Sequence, residues 1–234
     1  MKIGIISDIH SNIQALNTIL NEFDNLNVDK IICAGDIIGI GINPDEVVKT
    51  LIARKDKLVI VKGNHENYLL NGLPEMVHDN RLISNDEYQN HIWNHSKLSK
   101  ESIEFIKKLK DEELIKVNGK RIYITHYPIS AYQKIVNNSE LIDIFSNIDA
   151  DIFIYGHTHK SNIFSHDNKY YINPGSLGCP NKSNITKGVI LEINDNDIEC
   201  HYIATEYNVN EVVNNIKKTN MPLSNEILEI FYGL

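Results

Sequence analysis

The sequence predicts an α/β fold with two sheets in a single domain spanning residues 1–234, and two observations predict it. Through the first two-thirds of the chain, short β-rich apolar runs alternate with stretches of helical periodicity, as in parallel strands joined by crossovers. After Gly156 the pattern changes to short strands joined by brief polar links, which is the pattern of antiparallel hairpins.

Residues 2–7, 30–34, 58–61, 121–125 and 152–155 read as buried strands, each bounded by turn or polar residues. Between the first two, Ile13, Leu16, Ile19, Leu20 and Phe23 fall on one helical face. Asn43-Pro44-Asp45-Glu46 places a cap and a first-turn proline at the start of a helix that runs to about Arg54. Residues 67–114 carry no strong strand signal and read as a helical insertion over one sheet edge, with helices at 84–95 and 99–109. Ser99 is only a partial capping signal, because Ser102 stands where a capping box has Glu or Gln. Residues 162–165, 169–172, 188–193 and 198–203 read as hairpin strands. A helical tail, residues 209–234, is broken at Pro222.

With 42% hydrophobic and 23% charged residues the chain has the composition of an ordinary globular protein. A net charge of −8 argues against an extended nucleic-acid surface or an anionic membrane surface. It does not exclude an anionic substrate, since bound cations reverse the field of a cleft. The first residues end their apolar run at Asp8 and do not read as a signal peptide. No apolar stretch approaches the ~18 residues of a membrane span. Cys33, Cys179 and Cys200 are widely spaced and form no Cys-x-x-Cys pair, which fits a reducing, cytoplasmic setting.

Five short motifs stand at the ends of predicted strands: Asp8-Ile9-His10, Gly35-Asp36, Gly63-Asn64-His65-Glu66, Thr125-His126 and Gly156-His157-Thr158-His159. In open α/β sheets ligands bind beyond the carboxyl ends of the strands, so five polar clusters at equivalent ends converge on one site. Carboxylates, imidazoles and one amide are oxygen and nitrogen donors suited to Mn, Fe, Zn or Ni. The strand period of two puts Asp8 and His10 on the same side, and likewise His157 and His159. Glycines at 35, 63 and 156 allow sharp turns into the site. Taken singly, most of these motifs are turns, caps or packing histidines; their joint, ordered occurrence is what points to a metal centre. His78, His91, His95, His166 and His201 lie outside the motifs and read as surface or packing histidines, and Trp93 as a packing anchor.

The ordered set resembles the signature of the calcineurin-like metallophosphoesterase superfamily, from Met1 to about Ile203. Asn173-Pro174-Gly175-Ser176 and the Gly35–Pro44 run make it most similar to the small prokaryotic phosphodiesterase-like branch. The resemblance implies a four-layer α/β/β/α sandwich and two divalent ions, manganese ahead of Fe, Zn, Ni or Mg. It implies one ion on Asp8, His10 and His159, the other on Asn64, His126 and His157, with Asp36 bridging. A metal-bound hydroxide would attack the phosphate, while His65 contacts it beside Asn64 and assists the leaving oxygen. Two ions against Asp8, Asp36 and a hydroxide leave the cluster at roughly +1, which draws in a phosphate. The expected partner is a small phosphorylated compound or nucleotide, and a homo-oligomer is left open. Protein phosphatases of this superfamily follow Gly-Asp with an Asp and an arginine that grips phosphate. Here Ile37 and Ile38 follow Asp36, and Arg54, Arg81 and Arg121 lie outside the motifs. A phosphodiester is therefore favoured over a phosphoprotein. The alternatives are a dinucleoside-tetraphosphate hydrolase, a serine/threonine protein phosphatase, or a non-catalytic scaffold of the same fold.

Overall fold

The computed structural model describes residues 1–76, 81–128, 136–194 and 197–234. Three parallel strands, β1 (Lys2–Ile6), β2 (Lys30–Cys33) and β3 (Leu58–Ile60), form the centre and one edge of a first sheet. Their register places Ile5 beside Ile32 and Ile32 beside Val59. The antiparallel hairpin β9 (Ile185–Ile193) and β10 (Ile198–Glu206) completes it, in the order β10-β9-β1-β2-β3.

The second sheet has parallel β5 (Lys120–Thr125), β6 (Ile152–Ile154) and β8 (Lys169–Asn173) at its centre. Antiparallel β4 (Glu112–Val117) and β7 (Asn162–His166) are its edges. The hairpins expected after Gly156 are these β7–β8 and β9–β10 pairs.

Strand alternation decides what each face buries. Ile3 and Ile5 point toward the second sheet and pack with Ile122, Ile124, Ile152, Ile154 and Ile172. Ile6 and Ile31 point the other way, under α1 (Ile13–Asn25) and α2 (Pro44–Ile52), where Leu16, Ile19, Val47 and Leu51 cover them. The far face of the second sheet is covered by α6 (Asn138–Phe145), whose Phe145 ring stacks on Phe153 at 5.0 Å. Three apolar interiors thus separate four layers, the α/β/β/α sandwich expected. Each fully buried isoleucine contributes roughly 1.5–3 kcal/mol over exposure, so the inter-sheet layer holds the strand ends rigidly together.

Residues 67–114 depart in part from their expected helical character. Within them, α4 (Asn85–Ser96) starts from a capping box in which Ser84 and Glu87 bond reciprocally. Next, α5 (Lys100–Ile106) starts where Ser99 Oγ accepts the Ser102 N–H at 3.3 Å. The cap at Ser99 works without a Glu because Asp45 accepts both the Ser99 N–H and the Ser102 hydroxyl. The segment's start, however, continues α3 (Asn64–Asn71), and its last residues, Glu112 to Leu114, open strand β4. An edge strand that begins with two glutamates and exposes Leu114 has no apolar run to reveal it; pairing with β5 imposes it. Helix α6 starts from a capping box formed by Asn137 and Glu140.

The tail folds as α7 (Val209–Lys218) and α8 (Ser224–Ile227), continued by a π-helical turn at Leu228–Tyr232. Ile216, Ile227 and Leu228 return it to the first helical layer, where Trp93 also packs partly buried. No described helix is long and apolar enough to cross a membrane. His78 lies outside the described residues.

Candidate functional site

All five motifs sit just beyond the carboxyl ends of β1, β2, β3, β5 and β6, and their side chains meet in one cleft. The pleat is not what aims them. β1 stops at Ile6 and β6 at Ile154, so Asp8, His10, His157 and His159 all belong to loops. Each of the four has positive φ, between 46° and 69°, as does Asp36 at 50°. Left-handed residues without glycine cost energy and persist only where surrounding bonds impose them. Here the Asp8 N–H donates to the Gly35 carbonyl and the His10 N–H to the Asp36 carbonyl, each at 3.0 Å. The His157 N–H donates to both oxygens of Asp8 at 3.1 Å. His157 and His159 thus enter the one cleft from loops and not by strand alternation, His157 beside Asn64 and His159 beside His10.

Of the three motif glycines, only Gly35 has the positive φ, 89°, that a turn demands. Gly63 is needed for close approach, since a Cβ there would lie 2.1 Å from Asp36 Oδ1.

The donor atoms form two groups joined by Asp36. In one, His10 Nε2 and His159 Nε2 are 2.9 Å apart and lie 3.8 and 3.5 Å from Asp8 Oδ1. In the other, Asn64 Oδ1 is 2.9 Å from His157 Nδ1 and 3.2 Å from His126 Nε2. Asp36 Oδ2 is 3.2 Å from His126 Nε2 and 3.9 Å from His10 Nε2, between the two groups. His126 Nδ1 lies 2.6 Å from the Ala34 carbonyl, which can only accept. In its neutral form that ring carries its proton on Nδ1, which leaves the Nε2 lone pair for a cation in the cleft.

His65 is placed differently. Its N–H donates to Asp36 Oδ1 at 2.9 Å, and its Nε2 stands 3.8 Å from Asp36 Oδ2. Its ring reaches past Gly39, where a Cβ would be 2.0 Å from Nδ1.

The electrostatics of this cluster are unbalanced without a cation. Burial pushes Asp8 up, against the pull of His126 and His159. Burial also opposes the Asp36 charge, but His126 and His65 hold it well below the carboxylate range. Burial disfavours the charged ring of His126, yet Asp36 and Asp8 raise it to about 9. Burial drives His10 well down and His65 to about 3, with Asp36 opposing both. His10 Nδ1 and His65 Nδ1 are buried without a hydrogen-bond partner among the described residues. Crowded, desolvated nitrogen and carboxylate donors of this kind fit divalent cations. With bonds of ~2.0–2.2 Å, neighbouring ligand atoms stand roughly 3–3.5 Å apart, and the donors here are 2.9–3.9 Å apart.

Among the described residues, three sets of donors lie close enough to share an ion: Asp36–His126–His157, His10–Asp36–His65 and His10–His159–Cys179. Cys179, whose thiol is pushed well up by burial, also borders the cleft.

Several positioning residues escaped sequence reasoning. Buried Glu66 accepts the N–H groups of Asp36 and Gly63 on one oxygen and of Ile37 and Ile38 on the other. Burial and the Asp36 charge raise it to about 7, against the pull of those N–H groups. Asn173 donates to the Gly156 carbonyl, and Ser176 Oγ to the Asp8 carbonyl. His91, expected to be a surface or packing residue, is buried with its ring 4.9 Å from that of His65. The two stand on different helices, so nothing in their sequence spacing pairs them.

Comparison with known proteins agrees with this geometry. The calcineurin-like phosphoesterase superfamily domain matches residues 1–196. An uncharacterized protein of Methanocaldococcus jannaschii is 30% identical over 94% of this chain and 93% of its own length. A symmetrical bis(5′-nucleosyl)-tetraphosphatase of Buchnera aphidicola is 33% identical over 56% of this chain and 45% of its own. Among solved structures, a metallophosphoesterase from Sphaerobacter thermophilus covers 97% of this chain and 98% of its own, with a TM-score of 0.74 at 22% identity. With the family domain covering all five motif loops and the matching fold carrying them, the chain belongs to the calcineurin-like phosphoesterase superfamily.

Proposed function

We propose that the protein is a dinuclear, metal-dependent phosphodiesterase. The observation that carries this reading is the position of Asp36, whose carboxylate lies between two separate donor groups while His65 faces the open cleft beyond it. Asp8, His10 and His159 would hold one divalent ion, and Asn64, His126 and His157 the other, with Asp36 shared. When bound, such ions supply Lewis acidity and a water acidic enough to ionise near neutral pH.

The protein's own residues do the rest. Asn64 and His65, side by side at the start of α3, are placed to meet the phosphate. His65 is the candidate proton donor to the leaving oxygen. Burial keeps it neutral in the metal-free site, and an anionic phosphate set against the ring raises its proton affinity.

A diester is the preferred substrate because no arginine is free to grip a monoester dianion. Arg81 borders the neighbouring cavity, but both its terminal nitrogens are 2.7 Å from the Glu87 carboxylate. The partial match to a bis(5′-nucleosyl)-tetraphosphatase supports a nucleotide-bearing substrate. Manganese is the ion we favour for the nitrogen and oxygen donor set.

The test is turnover of bis(p-nitrophenyl) phosphate and of p-nitrophenyl phosphate after chelation and reconstitution with Mn²⁺. Metal-dependent hydrolysis with a diester-to-monoester rate ratio above one supports the proposal. Absence of turnover with Mn, Fe, Zn, Ni and Mg alike overturns it and leaves the scaffold reading.

A further inference from the structure

A cavity of about 210 Å³ opens beside His65 and is walled by segments far apart in sequence. Ile40 comes from the loop after β2, Tyr68 from α3 and His91 from α4. Leu223, Ile227 and Phe231 come from the C-terminal helical turns, which lie beyond the matched family domain at 1–196. Asn90 ties these walls together by donating to the carbonyls of both Ile40 and Pro222.

We propose that this cavity is the subsite for the organic group of the substrate, and that it takes a nucleobase. The proposal rests on the phosphodiesterase reading in placing the phosphate against Asn64 and His65. It deepens that reading by naming what the phosphate carries.

Position comes first. His65 lines the cavity and, on its inner side, stands 3.8 Å from the Asp36 carboxylate. A phosphate held by the cleft therefore directs one of its ester groups past His65 into the cavity. Size comes next. Sites for drug-sized ligands run to ~300–1,000 Å³, so this cavity suits one substituent of a substrate and not a whole dinucleotide.

Chemistry narrows the choice further. Ile40, Leu223, Ile227 and Phe231 offer apolar surface with no partner for hydroxyl groups, and a sugar placed there would lose its hydrogen bonds to water. An acyl chain would have the opposite defect. It would cover the Arg81–Glu87 pair, which lines the cavity, with nothing to bond to it. A flat heteroaromatic ring satisfies both demands: its faces pack on the aliphatic groups and the Tyr68 ring, and its polar edge meets the Arg81–Glu87 pair. The Tyr68 ring stands 5.4 Å from His91 at 87° and 5.7 Å from His65, which fixes an aromatic surface next to the phosphate position.

The test is calorimetric titration of the Mn²⁺-loaded, phosphate-saturated protein with adenosine, guanosine, cytidine and uridine, and with ribose as the control. At least one nucleoside is expected to bind ten-fold or more tightly than ribose. Phe231→Ala and Leu223→Ser are each expected to weaken that nucleoside at least five-fold, with circular dichroism and metal content matching the parent protein. Having two substitutions guards against one of them failing to fold.

If no nucleoside exceeds ribose, or if neither folded variant changes the affinity, the proposal is overturned even should diesters be hydrolysed. If nucleosides bind as expected and no diester is hydrolysed, the subsite stands and the hydrolase reading falls.

Discussion

Glu66 accepts the backbone N–H of Asp36 at 2.9 Å, and through that bond a buried carboxylate that offers nothing to the cleft positions the one at its centre. The same oxygen takes the Gly63 N–H at 2.7 Å, so the loops after β2 and β3 are clamped together behind the donor atoms. The other oxygen holds Ile37 and Ile38.

Replacing Glu66 by Gln turns one of those oxygens into an amide NH₂ and sets a donor against two donors. The expected cost is about 2–3 kcal/mol, a fall in Tm of roughly 4–10 °C for a chain of this size. Divalent-ion affinity is expected to fall with it, because Asp36 is no longer fixed. Differential scanning calorimetry with and without Mn²⁺ measures both effects. A Tm equal to that of the parent protein would show that the clamp contributes nothing to stability.

Asp36→Ala is expected to lower metal content from the proposed two ions per chain to one or none after reconstitution, because Asp36 Oδ2 reaches both donor groups. It lies 3.2 Å from His126 Nε2 and 3.9 Å from His10 Nε2, nearer to His126 than Asp8 Oδ1 at 4.0 Å. Asp8→Ala should spare the Asn64, His126 and His157 side more than Asp36→Ala does. Elemental analysis of the two dialysed variants decides the point; two ions retained in the Asp36 variant would remove Asp36 from the bridging position.

The sandwich and the meeting place of the motifs were legible because each rests on local pattern. Apolar runs mark β1, β2, β3, β5 and β6, and their polar ends must gather wherever the strands run parallel. The geometry inside the cleft was not legible. Pleat alternation is a rule for strands, and Asp8, His10, His157 and His159 sit in left-handed loops imposed by hydrogen bonds between segments distant in sequence. The clamp at Glu66 was hidden for the same reason, since its partners at 36 to 38 are about thirty residues away. His91 carried no motif, and only the docking of α4 brings its ring to His65. Strand β4 lacked an apolar run because it is an edge, where pairing with β5 outweighs the pattern.

Asp45 provides a pH-dependent anchor for α5. It accepts the Ser99 N–H at 2.8 Å and the Ser102 hydroxyl at 2.6 Å, and pairs with Lys49 at 2.8 Å. Burial would raise its pKa, but bonds from Lys49, Ser102 and Ser99 outweigh burial and hold it well below the ordinary value. A carboxylate depressed in the folded state contributes stability that is fully present above the unfolded pKa of about 4. That stability is lost as pH falls through the lower folded value. Asp45→Asn keeps one oxygen as acceptor for Ser99 and Ser102 and removes the charge and the oxygen that pair with Lys49, so a loss of about 1–2 kcal/mol is expected at pH 7. The gap between the two proteins should narrow below pH about 4. Urea unfolding across pH 7 to 3 measures it; a gap that stays constant would mean that the charge is not what holds α5.

On the proposed function, His65 would separate a working enzyme from a metal-binding relic of the same fold. Its Nε2 stands 3.8 Å from Asp36 Oδ2, its ring centroid is 4.8 Å from that of His10, and it lines the cavity beyond Asp36. His65→Ala is therefore expected to keep the fold and both ions while lowering turnover by roughly 10²–10⁴, the usual worth of general acid catalysis. The loss should shrink for p-nitrophenyl esters, whose leaving group barely needs a proton, and reach its full size for a nucleoside or alkyl alcohol. Single-turnover rates with the two leaving groups, taken beside metal content, distinguish the roles. Loss of an ion would make His65 a ligand, as its proximity to His10 and Asp36 permits. Equal activity on every substrate would mean that the proton comes from another group.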